Sequence, residues 1–217
     1  MVPVDWREAV CSGRCPVCFF LRQDEFAELS HWVGGNVADP QNRLRLEEAG
    51  GFCNGHFWQL NQFHSPQSGS LVNAFIAARL LQSLRNPAGD DGQTQATWLR
   101  EAATRCPVCV HLRVREAAHV RNFLGWLADA QAWAKYEASQ GLCLPHSLRC
   151  LGLVQDLALR DRLSKAQAVQ IKRLQNGMGA LVQKLAAGRR WDVSRDEWAA
   201  WERTTEKLVG RSGVSPS

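Results

Sequence analysis

No apolar run in the 217-residue chain approaches the roughly 18 to 20 residues that cross a bilayer, since even "LVNAFIAARLL" is broken by Arg79. A membrane-spanning helix is therefore excluded as a reading of the sequence. The opening "MVPVDWREAV" has neither a basic n-region nor an apolar h-region, so no secretory leader is expected and the chain reads as soluble and cytoplasmic. Extended runs of alternating β-branched residues are missing as well, which leaves little from which to build a sheet. There is no P-loop, no GxGxxG, no Ser-His-Asp order and no additional carboxylate pair, so a separate catalytic apparatus is not visible. Enzymatic activity stays open on this reading, with the weight against it.

What the chain does have is helical periodicity and a core. At 45% hydrophobic residues with nine Trp, it can bury one domain or two closely packed halves. Phe26, Leu29 and Val33 recur at helical spacing, as do Ala77, Leu80, Leu81 and Leu84, and then Val120, Phe123, Leu124 and Leu127. The longest stripe is Ile171, Leu174, Met178, Leu181, Val182 and Leu185, which is expected to face inward. Asp39 with Pro40 reads as a helix start, Gly51 and Gly141 fall where a helix end calls for a left-handed residue, and Ser194 to Glu197 spells a capping box. The segment "NPAGDDGQ" marks a boundary. The expected organisation is a first repeat over 1–85, a linker at 86–95, a second repeat over 96–190, and a C-terminal helix and tail over 191–217.

The repeat is explicit. "CPVC" occurs at Cys15 to Cys18 and again at Cys106 to Cys109, 91 residues on; "GFCNGH" ends in Cys53 and His56, and "GLCLPH" ends in Cys143 and His146, 90 residues on. "WREAVCSGRCPVCFFLR" from Trp6 overlays "WLREAATRCPVCVHLR" from Trp98 with one gap. Each copy thus holds three cysteines and one histidine. In CPVC the proline suits the first turn of a helix, where its missing N–H is not needed, and the first cysteine falls at the cap. Pro145 does the same for "CLPH". The free N–H groups and positive dipole of a helix start favour thiolate over thiol.

Three thiolates and an imidazole form a tetrahedral Cys3His set of the kind that suits zinc. The expected sites are one ion per repeat, Cys15, Cys18, Cys53 and His56 for the first and Cys106, Cys109, Cys143 and His146 for the second, two Zn2+ per chain in all. An iron–sulfur cluster is an alternative, although the dense cysteine run of ferredoxins is missing. Thiol–disulfide exchange is another, without the βαβ context that usually frames it. Covalent haem attachment is excluded, because Phe19 and Val110 stand where C-x-x-C-H requires histidine. Cys150 falls opposite Leu60 in the repeat register and reads as a small buried apolar residue; Cys11 matches Ala at its nearest equivalents. His31, His64, His111 and His119 have no histidine counterparts and read as surface or packed residues.

These motifs in this order resemble an uncharacterised bacterial family of domain-of-unknown-function proteins with duplicated CPxC and GFCxxH motifs. The likeness runs from about Trp6 to Leu208, with Leu142 in place of the usual Phe in the second copy. It implies metal binding and names no activity. The resulting expectation is an all-α fold of two pseudo-symmetric repeats, each organised around a Cys3His site, with a C-terminal helix, serving as a zinc-bound scaffold or adaptor for another protein. The alternative partner is a nucleic acid. Residues 155–190 carry eight Lys or Arg against two Asp, while the first 154 residues balance at 14 against 14. Lys165, Lys172, Arg173, Lys184, Arg189 and Arg190 are expected to project from that segment, although a solvated helix face is the commoner meaning of such a run.

Overall fold

The computed structural model describes residues 5–33, 39–63, 65–85 and 104–211, and among them the regular structure is entirely helical. The helices are α1 (Trp6–Cys11), α2 (Pro16–Val33), α3 (Pro40–Ala49), α4 (Asn54–Phe63), α5 (Pro66–Arg85), α6 (Pro107–Trp126), α7 (Ala130–Ala138), α8 (Leu144–Leu153), α9 (Leu157–Ala186) and α10 (Arg195–Val209), with a 3-10 turn at Arg190–Asp192 before the last. Their starts follow the local chemistry of the sequence. Asp5, Asp39, Asp129 and Asp156 each accept a hydrogen bond from a first-turn N–H, and Ser194 and Glu197 close a complete capping box. Gly50 ends α3 in the left-handed region at φ 73°, and Gly51 and Gly141 follow their helices at φ 102° and 69°.

Two compact units emerge. A terminal unit comprises Met1–Arg22 and Glu116–Ser217, and a central unit comprises Gln23–Arg115. This division differs from the sequence repeats: its boundaries fall inside α2 and α6, while residues 86–95 lie outside the described part of the chain.

In the terminal unit an aromatic cluster forms the centre of the core. Trp6 stands edge-on to Phe20 at 4.7 Å between ring centroids, Phe123 lies 5.3 Å from Trp6, and the buried His119 stacks on Phe20 at 5.4 Å. Within this unit α9 and α10 form the most extensive helix–helix contact among the described residues. Gly177 lets the two backbones approach, since a Cβ there would stand 3.3 Å from that of Ala200. In the central unit Trp32, Phe52 and Phe57 make a second aromatic chain, with Leu29, Leu46, Leu60 and Val72 buried.

The face that α9 turns inward differs from the expected stripe. Leu163, Ala166, Gln167, Gln170, Leu174 and Leu181 are buried, whereas Ile171, Val182 and Leu185 are exposed. The reason lies in α10. Its Lys207 is only 6% exposed, and its ammonium donates to the Gln140 carbonyl at 2.8 Å, Gln167 Oε1 at 3.0 Å and Gln170 Oε1 at 3.1 Å. A buried ammonium must find acceptors, and the two glutamines occupy core positions to supply them. Lys184 also departs from the expected outward face: it is half-buried and binds both carboxylate oxygens of Glu197 at 2.8 Å. Lys165 bridges to Asp161, Lys172 donates to Gln175, Arg173 donates to the Glu137 carbonyl, Arg189 lies 3.9 Å from Asp192, and Arg190 covers the ring of Trp198.

Candidate metal centres

The four Cys-containing motifs share one local structure. Cys15, Cys53, Cys106 and Cys143 each stand immediately before a helix, and each carbonyl accepts the first helical hydrogen bond, from Phe19, Phe57, Val110 and Ser147 at 2.8–3.0 Å. Cys18, His56, Cys109 and His146 then occupy the third helical position. This is the spacing of a capping box, in which the side chains at the cap and at N3 meet over the first turn. The C-x-x-C and C-x-x-H spellings are therefore the same geometric device with different donor atoms. Cys53 Sγ lies 3.1 Å from His56 Nδ1, and Cys143 Sγ lies 3.0 Å from His146 Nδ1.

All eight sequence-derived residues come together, but not in the expected sets. Cys15, Cys18, Cys143 and His146 converge in the terminal unit; Cys53, His56, Cys106 and Cys109 converge in the central unit. Each set takes the CPVC of one repeat and the C-x-x-H of the other, so the intra-repeat assignment is corrected. The cause is that α2 and α6 begin in one unit and continue into the other, so that a CPVC and the C-x-x-H following it in the chain belong to different units.

Within each set the donor atoms lie within 4.8 Å of one another. In the terminal set Cys15 and Cys18 are both 3.4 Å from His146 Nδ1, and Cys18 is 3.8 Å from Cys143. In the central set Cys106 and Cys109 are 3.5 and 3.3 Å from His56 Nδ1, and Cys53 is 3.6 Å from Cys109. Zinc–ligand bonds of about 2.3 Å to sulfur and about 2.0 Å to nitrogen give tetrahedral edges of about 3.7 Å between sulfurs and about 3.5 Å between sulfur and nitrogen. In each set the sulfur–sulfur contact of 3.8 or 3.6 Å and the sulfur–nitrogen contacts of 3.0–3.5 Å lie near those edges, and no donor pair exceeds 4.8 Å, so the residues present fit a single four-coordinate ion.

Without a cation, such a set must share protons. Burial pushes the imidazole of His146 toward neutrality, yet the thiols of Cys143 and Cys15 and the Glu116 carboxylate raise its pKa to about 12. His56 is affected in the same way: burial opposes protonation, and Cys106, Cys53 and Glu25 raise its pKa to about 11. The thiols divide within each set. Burial would raise Cys15, but its contacts with Cys143, Cys18 and His146 hold it well below the ordinary thiol value, while Cys143 and Cys15 push Cys18 up. Cys106 and Cys109 draw Cys53 down, and Cys106 and Cys53 push Cys109 up. Three sulfurs and an imidazole at these distances can all lose their protons together only where a cation takes their place.

Two residues of the site were not anticipated from the sequence. His146 Nε2 lies 3.1 Å from Glu116 Oε1, and His56 Nε2 lies 3.4 Å from Glu25 Oε1, with both carboxylates 2% exposed. With Nδ1 turned to the sulfurs, each Nε2–H faces a buried carboxylate, the arrangement that fixes the tautomer and ring of a metal-binding histidine. Glu116 also receives Arg149 at 3.1 Å. The signal was present in the repeat, because Glu25 and Glu116 each follow the first cysteine of CPVC by ten residues, in "LRQDE" and "LRVRE". The other cysteines and the other described histidines lie outside both sets. Cys150 is fully buried, and burial raises its thiol pKa to about 12; Cys11 is exposed, outside both sets. His31, His111 and His119 join neither set, and His64 lies outside the described residues.

Comparison with known proteins gives a family and nothing more specific. The sequence profile of a family of unknown function (DUF6062) matches residues 4–213, and the chain belongs to that family. No curated protein and no solved structure matches.

Proposed function

We propose that this member of a family without an assigned activity is a helical scaffold held by two structural zinc ions, one in each Cys3His set, and that it works by presenting its surface to a protein partner. The observation that carries this reading is the closure of both sets. Four donors within 4.8 Å of one another would complete the coordination of a single ion and leave no position for a substrate or an activated water. When bound, zinc would neutralise the thiolates and tie together two helix N-termini per site. Glu25 and Glu116 would orient the imidazoles, and the first-turn N–H groups would face the negative sulfurs. In a multi-iron cluster the ligands are distributed over several irons and stand farther apart than those of one ion, so the 4.8 Å limit favours the single ion. Exposed aromatics suit protein binding on each unit: Trp58 of the central unit is 62% exposed, Trp191 and Trp201 of the terminal unit are 82% and 58% exposed, and Trp is enriched in protein interfaces.

Metal analysis and the colour of the purified chain test the reading. A colourless protein with two zinc per chain is expected. A brown, iron-containing protein would shift the assignment to an iron–sulfur centre, and one ion or none per chain would overturn it.

A further inference from the structure

The two sets arise from the same repeated motifs and occupy the same helical positions, yet their surroundings differ. In the terminal set all four ligands are buried; in the central set Cys53 and Cys109 are half-buried, although His56 and Cys106 are not. The difference extends along the motif: from Gly51 to Leu60 and from Gly141 to Cys150 the burial pattern has the same register, with the terminal copy more deeply covered at Cys143, Pro145 and Ser147.

The terminal copy is covered by α9 and α10. Gln170 fills the space beside Gly141, and Lys207 bonds to Gln170, Gln167 and the Gln140 carbonyl. The cavity beside Cys15 and Cys143, with Lys207 and Arg203 on its wall, has a volume of about 20 Å³, room for about one water. In the central copy a Cβ on Gly51 would meet Ile76 of α5 at 3.5 Å, and among the described residues of α5 only Gly69 and Val72 are buried. The residue that follows the second cysteine of CPVC adds to the contrast: Phe19 stands edge-on to the buried Phe20 in the terminal unit, whereas Val110 is 43% exposed in the central one.

We propose that the central set, Cys53, His56, Cys106 and Cys109, is an exchangeable site for a thiophilic divalent cation, entered and left through Cys53 and Cys109, while the terminal set holds its ion permanently. The proposal rests on the two-ion reading above: both ions hold the scaffold when bound, and the central one is in addition open to exchange. Exchange is a ligand substitution without electron transfer. An incoming thiolate or chelate donor bonds to the ion as the bond to Cys53 or Cys109 breaks, and the departing thiolate takes a proton from water. A half-buried sulfur admits the incoming donor without opening the unit. In the terminal set Leu174 of α9 and Arg203 and Lys207 of α10 stand over Cys15 and Cys143, so an incoming donor of more than water size requires these helices to move, and that opening has its own free-energy cost.

The test uses the full chain loaded with two equivalents of zinc and challenged with excess chromogenic chelator, with N-ethylmaleimide labelling followed by mass spectrometry in parallel. One equivalent should leave at least about tenfold faster than the other, the factor given by about 1.4 kcal/mol of additional opening free energy. Label should reach Cys53 and Cys109 with the fast phase and Cys15, Cys18 and Cys143 only with the slow one. Cys11, exposed and outside both sets, labels first and reports the free-thiol rate. Two equivalents released at a single rate, or Cys15 labelled as fast as Cys53, would overturn the asymmetry while leaving the two-site reading intact. A loaded chain holding fewer than two equivalents would overturn both.

Discussion

Glu116 and Gly141 show how single residues set the terminal site. Glu116 is buried, faces His146 Nε2 and receives Arg149, so its charge is balanced within the site rather than by solvent. Glu116→Gln keeps the shape beside His146 Nε2 but removes the charge that makes the imidazole a better donor to a metal. Loss of such an outer carboxylate lowers metal affinity by about 10- to 100-fold. Chelator competition should find one equivalent weakened in Glu116→Gln and the other in Glu25→Gln, with the second equivalent in each variant unchanged. Equal weakening of both ions by one substitution would dismiss the pairing of carboxylate and site. The glycines make a graded series. Gly13, Gly51 and Gly141 all have positive φ, so a side chain at any of them strains the backbone by about 1 kcal/mol or more. At Gly13 a Cβ meets nothing, at Gly51 it meets Ile76 at an ordinary 3.5 Å, and at Gly141 it overlaps the Gln170 amide. Gly141→Ala should therefore cost about 3 kcal/mol or more, since strain and overpacking act together, and Gly51→Ala about 1 kcal/mol. Denaturant melts that ranked them the other way would remove Gln170 from its assigned place.

At the scale of the element, α10 is a lid whose inner contact is a charge. Burial lowers the pKa of Lys207 to about 8, and the neighbouring Cys15 and Cys143 sulfurs oppose that shift. Because the folded pKa lies below the unfolded value of about 10.5, the unfolded chain binds more protons between those limits, and the stability due to this group rises with pH across them. Below about pH 8 the ammonium is charged in both states and its burial is a constant cost. The expected outcome is that the stability of the wild-type chain, less that of Lys207→Met, increases from pH 8 to pH 10 by urea denaturation. A flat difference would mean that the amine is not confined as described. The same contact explains what was hidden in the sequence of α9. Leu163, Gln167, Gln170, Leu174 and Leu181 follow the spacing of a packed seam, but two members are polar, so hydrophobic periodicity selects Ile171, Val182 and Leu185 on the wrong face. Helix starts were legible because caps are local: Asp39, Pro16, Pro107, Cys143 and Ser194 each act within one turn of themselves. The inward face of α9 depends on a lysine on another helix, and no local pattern carries that.

For the whole molecule the decisive fact is which C-x-x-H each CPVC meets. The sequence singles out all eight residues of the two sets, because each motif is a self-contained helix start, yet it permits two pairings, within a repeat or across repeats, and the spacing of 90 or 91 residues fits both. The structure takes the second: Cys15 and Cys18 with Cys143 and His146, Cys106 and Cys109 with Cys53 and His56. The choice decides what a break in the chain does. Every ligand before residue 86 belongs to a set that is completed by ligands after residue 95, so each half-chain holds half of both sites and the whole of neither. A protease site placed within 86–95 of the full chain, cleaved after zinc loading, should give two fragments that co-elute on size exclusion with two ions between them. Structural zinc contributes on the order of 10 kcal/mol of apparent binding energy, so removing it with a chelator should greatly weaken their association. Sites confined to single repeats would behave otherwise: each fragment would keep one ion of its own, and chelation would act on each separately. Fragments that part while still carrying one zinc each would restore the intra-repeat pairing and refute the exchanged one.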